Sequence, residues 1–273
     1  MKVYLLCTLF VGSCIAQKKI SVYNSENHIP ISYANIWKDN AFYKTADSIG
    51  VFTIDDKTPE TNLKITAIGF EDKILSSSVN EVLLKPQLNV LDEVKITKKK
   101  NPQRESFGKF KKAGTVMSAV QYDAKMALVA KFFPNDKMEE RFLNAVKFYT
   151  VTEDKNRIIS LLFYTNENGE PGKLINSDNI ICRLKKGNHL NTIDVSGSDI
   201  VFPKEGVFVV LQYMLLEQNK NYSKQYKNPL AFFYEPALYM KKVSEYTDTW
   251  YVKDLNWTKS TFYSLSLGIE VTD

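Results

Sequence analysis

Four stretches decide the fold: Pro30-Ile31-Ser32-Tyr33-Ala34-Asn35-Ile36-Trp37, Thr45-Ala46-Asp47-Ser48-Ile49-Gly50-Val51-Phe52, Ile65-Thr66-Ala67-Ile68-Gly69-Phe70-Glu71 and Val82-Leu83-Leu84-Lys85-Pro86. Each is a short β-type run broken by turn residues. In an extended strand, Ile31, Tyr33, Asn35 and Trp37 share one face and Ser32, Ala34 and Ile36 the other, so both faces are substantially apolar. Gly50 supplies the backbone angles of a tight hairpin turn, and Gly69 lets the chain bend before the aromatic Phe70. With the alternating Lys19-Ile20-Ser21-Val22-Tyr23 upstream, the spacing predicts about seven strands over residues 17–97, as in a small sandwich.

These stretches, in this order, resemble the carboxypeptidase-like regulatory domain family, over a little under a third of the chain. The resemblance implies a transthyretin/Ig-like β-sandwich and no chemistry of its own, because in true carboxypeptidases the zinc and catalytic residues belong to a separate domain. Leu91-Asp92-Glu93-Val94 is similar to the segment through which receptor-fused family members engage the TonB protein. No receptor barrel is expected after it, since a large barrel of ~10-residue strands needs far more than the residues that follow here, and a final edge strand is the favoured reading.

Upstream, Lys2, an apolar run over residues 3–11 and Ser13-Cys14-Ile15-Ala16 before Gln17 read as an export signal, residues 1–16. The run is shorter than the ~20 apolar residues that span a bilayer. Val11-Gly12-Ser13-Cys14 also resembles a lipobox, so a lipid anchor at Cys14 stands beside cleavage after Ala16, which is favoured. Of three cysteines, cleavage leaves Cys182 alone, and its apolar, strand-like surroundings predict a buried thiol.

Downstream, residues 98–114 combine clustered bases with Pro102, Gly108 and Gly114 and read as a basic linker. Residues 98–112 carry seven bases against Glu105 alone; without them and Lys2 the formal net charge of +5 becomes −2. The basic character is therefore local. A solvated tether is favoured over contact with anionic headgroups or glycans. Phe107 and Phe110 interleave with the bases as in single-strand binders, but an exported protein has little access to nucleic acid, and none is expected as a partner.

Residues 115–273 carry further β-type runs at 157–164, 207–216, 250–253 and 262–271, with turns at 166–172 and 203–206. They predict a second, jelly-roll-like β-sandwich and an all-β chain. Residues 123–133 and 138–148 fit helix or strand equally.

Motifs for nucleophilic, phosphate-binding or zinc chemistry are not present in the sequence. His28 and His189 fall in polar turns without the spacing of a metal site. No catalytic residue, cofactor or metal is expected. The expected function is that of a non-catalytic accessory or interaction protein of the bacterial cell envelope, in the periplasm or at the outer membrane or cell surface, not membrane-spanning, with an envelope protein or glycan as partner. The alternative is a carbohydrate-binding module. Of Trp250, Tyr251, Trp257, Phe232, Phe233, Tyr234 and Tyr239, most would fill a core, and Trp257, in the turn-like Asp254-Leu255-Asn256-Trp257-Thr258, is its candidate ligand-binding residue. A glycoside hydrolase using Asp194, Asp199, Glu205 or Glu217 is the remote alternative.

Overall fold

The computed structural model describes residues 17–55, 63–75, 79–87, 103–108, 116–121, 127–137, 139, 141–222, 232–244, 247–253 and 255–272. The expected signal segment, Cys14 and Leu91-Asp92-Glu93-Val94 lie outside the described residues. Seven strands build the N-terminal unit: β1 (Gln17–Asn24), β2 (Asn35–Lys38), β3 (Ala41–Thr45), β4 (Val51–Asp55), β5 (Leu63–Thr66), β6 (Lys73–Leu75) and β7 (Glu81–Leu84). They form a three-stranded sheet, β4-β1-β7, and a four-stranded sheet, β3-β2-β5-β6. Alternation explains the sandwich: Ile20 and Val22, Phe52 and Ile54, Leu63 and Ile65, and Val82 and Leu84 point inward as buried pairs two residues apart. Each such side chain contributes roughly 1.5–3 kcal/mol by leaving water.

Two details differ from the sequence reading. Residues 30–34 do not extend β2, because Tyr33 sits at φ 59°. Ile31 therefore turns into the core instead of sharing a face with Trp37. Gly50 does not close a hairpin, since β3 and β4 belong to different sheets. It lies where the chain crosses between them at φ +74°, and a Cβ there would stand 2.8 Å from the Val22 carbonyl oxygen and 2.9 Å from that of Ile31. The Asp47 carboxylate fixes the crossing by accepting from the amides of Ile49 and Val51.

The C-terminal unit contains β8 (Arg104–Phe107), β9 (Val116–Gln121), β10 (Leu128–Phe133), β11 (Arg141–Thr152), β12 (Ile158–Glu167), β13 (Glu170–Leu174), β14 (Ile180–Arg183), β15 (Gly187–Asp194) and β16 (Val201–Phe202). It continues with β17 (Val207–Tyr213), β18 (Lys220–Asn221), β19 (Phe233–Lys242), β20 (Thr249–Lys253), β21 (Asn256–Lys259), β22 (Tyr263–Leu265) and β23 (Leu267–Thr272). One sheet runs β13-β12-β17-β10-β20-β21, with β14 also on β12; the other runs β18-β19-β11-β23-β8, with β15 and β16 on β11 and β9 and β22 on β19. The chain is all-β and built of sandwiches. The segments that fitted helix or strand equally supply β10 and β11.

The basic stretch at 98–114 is not a tether throughout. Residues 104–107 pair with β23 at the edge of the second sheet, because two side chains lock them there. Glu105 accepts from Arg141 Nη1 at 2.6 Å and Lys137 Nζ at 2.7 Å. Phe107 and Phe202 flank the buried Arg141 guanidinium, 5.1 and 5.4 Å from their ring centres. Lys137 first, then Arg141, holds the Glu105 carboxyl below its ordinary range.

All seven residues of β17 are buried. Ladder pairing and alternation put Val207, Val209, Leu211 and Tyr213 on the face toward the nine-stranded sheet, and Phe208, Val210 and Gln212 on the other. That second face meets the N-terminal unit: Gln212 Nε2 donates to Asn35 Oδ1 at 2.6 Å, and the Leu215 amide donates to Thr45 Oγ1 at 3.0 Å. Phe42 belongs to the C-terminal core and Trp37 packs against it. The outer face of the β3-β2-β5-β6 sheet is thus covered by the other unit, which brings two distant loops together.

Candidate functional site

Beside this interface lies a cleft of about 410 Å³, lined by Asn24, Asn27, residues 29–33, Ile68 and Phe70 of the N-terminal unit and by Ser177, Asp178, Asn179 and Ile181 of the C-terminal unit. Its size is that of a small-ligand site. The first wall is a loop tied down by its own main chain. Asn24 N donates to Ile29 O at 2.9 Å, Ile31 N to Val22 O at 2.9 Å, and Tyr33 N to Asp47 O at 3.1 Å. Ser32 Oγ donates to Ser48 O at 2.7 Å. His28, at φ 57°, stacks on Tyr23 with ring centres 4.4 Å apart and lies 3.8 Å from Glu81.

The second wall is held from below. Buried Asn176 accepts from the Phe163 amide at 3.0 Å and donates to Asp178 O at 2.7 Å. Ser177 Oγ donates to the Asp178 carboxylate at 2.9 Å. Asn179 Nδ2 reaches across to Ser32 O at 3.5 Å. The walls are also close at Gly69, φ +81°, where a Cβ would come to 4.0 Å from Ser177 O.

The lining combines three asparagines, two serines, a tyrosine and one aspartate with Pro30, Ile29, Ile31, Ile68, Ile181 and Phe70. Asp178 is the single acidic side chain of that lining, which holds no lysine or arginine. Amides and hydroxyls both donate and accept, so the cleft suits a polar, uncharged ligand that presents both kinds of group.

The residues singled out from sequence are elsewhere. Trp257 is not in a turn: it lies in β21 opposite Val252, half-buried against the core, with its ring 5.8 Å from that of Tyr164. Hairpin pairing at the sheet edge turns it onto the same face as Tyr164, where burial pushes the Tyr164 hydroxyl up to about 12. Trp250, Tyr234 and Tyr239 are buried. His189 is not in a turn either; it pairs with Thr150 inside β15. Cys182 is buried, which raises its thiol to about 12.

The four carboxylates serve local roles or stand apart. Asp194 accepts from the amide and hydroxyl of Ser196, and the hydroxyl bond first of all holds its carboxyl low. Asp199 closes a 3-10 turn in the left-handed region. Glu205 and Glu217 flank opposite ends of β17, roughly 20 Å apart at the rise of a strand, beyond the spacing of a glycosidase pair. Partial burial would raise Glu217, but Lys220 at 2.7 Å and the Tyr222 hydroxyl at 3.0 Å bring it below its ordinary range. Among the described residues no three or more of His, Cys, Asp and Glu are grouped to hold a metal ion, and no helix is long and apolar enough to cross a membrane.

The sequence reading missed the cleft. The clustered Asn and Ser of residues 24–33 and 176–179 are a visible signal, but they read as loops, and nothing local joins segments so far apart in the chain.

No protein-family model matches the chain, and no curated protein sequence does. Among solved structures it is similar to the cysteine protease and lectin-like domains of Cwp84, a surface layer associated protein of Clostridium difficile, at 11% identity and TM-score 0.42, over 91% of this chain and 61% of that one. It is also similar to the chain of T=1 particles derived from infectious bursal virus, at 8% identity and TM-score 0.28, over 94% and 61%. A third, infectious bursal disease virus Gx strain, gives 9% identity and TM-score 0.27, over 94% and 65%. The chain thus spans about three fifths of the length of these structures.

Proposed function

We propose that the chain is a non-catalytic accessory protein of the bacterial cell envelope, exported through residues 1–16, with a carboxypeptidase-like regulatory domain at its N-terminus. In this reading it engages an envelope partner, protein or glycan, at the cleft between its two units. The observation that carries the reading is the cleft itself, a pre-organised concavity whose walls come from both units and whose lining is rich in hydrogen-bonding side chains. Trp257, half-buried against Tyr164, is replaced in this role by the cleft residues.

The test places a photo-crosslinking residue in the full chain either at Ile29, 60% exposed at the rim, or at Phe262, 63% exposed and outside the cleft. The host is a bacterium with an outer membrane, and the cells are fractionated after illumination. The chain is expected in the envelope fraction, with a discrete light-dependent adduct from position 29 and none from position 262. Retention in the cytosol, or equal labelling from both positions, overturns the reading.

A further inference from the structure

We propose that the ligand of this cleft is a neutral saccharide, an inference that rests on the cleft's being the recognition site. Three features of the lining point there. First, beyond the bonds they make to other described residues, Asn24 and Asn27 keep their Nδ2 donors and Asn179 its Oδ1 acceptor, and the Ser32 and Ser177 hydroxyl oxygens can still accept, which matches ring hydroxyls that both donate and accept. Second, Tyr33 and Phe70 bring aromatic surface to the same cavity as these polar groups, so a ligand with an apolar C–H face and a polar rim is served on both sides.

Third, no lysine or arginine lines the cleft and Asp178 does. A phosphate, sulfate or uronate would meet a like charge without a counter-charge and would have to shed its water. The ligand is therefore an uncharged sugar. Peptide addition as an extra strand is disfavoured at the loop wall, because its main chain is already spent: the Ile29 amide donates to Asn27 Oδ1 at 3.0 Å, the Ile31 amide to Val22 O, and the Ile29 carbonyl accepts from Asn24. The basic residues of 98–112 lie outside this lining, so charge attraction from them is a separate, salt-sensitive effect.

The experiment titrates the full chain by calorimetry and saturation-transfer NMR with neutral di- and trisaccharides of glucose, galactose, mannose and N-acetylglucosamine, and in parallel with a uronate-containing and a sulfated oligosaccharide. At least one neutral saccharide is expected to bind, with affinity changing less than about twofold between low and high salt. Asp178→Asn and Tyr33→Phe, each checked for an unchanged circular dichroism spectrum, weaken it by about tenfold, the loss of one hydrogen bond to a buried ligand group. Phe262→Ala leaves it unchanged.

Binding of the anionic sugars alone, binding that collapses with salt, or binding untouched by both cleft variants overturns the inference. So does failure of every neutral saccharide to bind. If position 29 still gives its discrete adduct in cells while no saccharide binds, the cleft remains the recognition site and only the sugar is wrong. If neither occurs, both readings fall.

Discussion

Glu235 is 2% exposed at the start of β19, and its carboxylate carries three protein contacts. Oε2 accepts from Arg157 Nε at 2.5 Å, and Oε1 accepts from the Glu153 amide and from Asn221 Nδ2, both at 2.8 Å. Arg157 is itself nearly buried and also donates to the Gln218 carbonyl. Among the described residues Glu235 is the one carboxylate paired with this guanidinium, and Glu235→Ala removes it and leaves an amide and an asparagine NH₂ without their acceptor. Breaking a buried pair by deleting one partner costs about 3–5 kcal/mol, because the survivor stays buried and uncompensated.

Against a total stability of ~5–15 kcal/mol this is a large fraction. With a urea m-value of about 2 kcal/mol/M, the midpoint falls by roughly 2 M. Arg157→Met removes the same pair from the other side, so the double variant is less destabilised than the sum of the singles by at least ~1 kcal/mol. Urea denaturation followed by tryptophan fluorescence measures all four proteins. A Glu235→Ala cost under ~1 kcal/mol, or strict additivity in the cycle, would refute the claim that this pair anchors β19 to the start of β12.

Gly50→Ala combines a left-handed φ with a Cβ 2.8–2.9 Å from two backbone oxygens, and is expected to cost about 2–4 kcal/mol in thermal or urea unfolding. Gln212→Ala strips Asn35 Oδ1 of its 2.6 Å donor between the units; a loss of ~1–3 kcal/mol and faster proteolysis of the native chain report on that contact. Glu105 and Glu270 both have carboxyls held below their ordinary range, by Lys137 and Lys147 respectively before all else. A depressed folded value means their contribution is complete above the unfolded value and is lost as pH falls through the folded one. The melting temperature of Glu105→Gln and Glu270→Gln variants should therefore drop less than that of the parent on acidification below the ordinary glutamate range. Trp257→Ala should cost ~1–3 kcal/mol through lost packing on Tyr164 while leaving saccharide binding at the cleft intact, measured by the same titration.

Alternation of apolar and polar residues, being local, already determined much of this protein. Ile20 and Val22, Leu63 and Ile65, and Val82 and Leu84 announce their strands because every second residue must leave water. The all-β class and the seven N-terminal strands follow from that period, and Cys182 reads as buried from its apolar neighbours. Where both faces of a strand are covered, as in β17, the period is lost and only a continuous apolar run remains.

Tertiary structure decided the rest. Glu105 and Phe107 make an edge strand of a basic stretch only because Arg141 and Phe202 stand opposite them. A strand pairing is a long-range event that charge and proline content do not encode. Trp257 looked exposed until the β20–β21 hairpin turned its ring onto Tyr164. The cleft is the extreme case, since Asn24 to Tyr33 and Ser177 to Asn179 meet only after the outer face of the β3-β2-β5-β6 sheet has docked against β17 through Asn35 and Gln212. Each wall is legible as a loop; their juxtaposition is a property of two buried sheet faces finding each other.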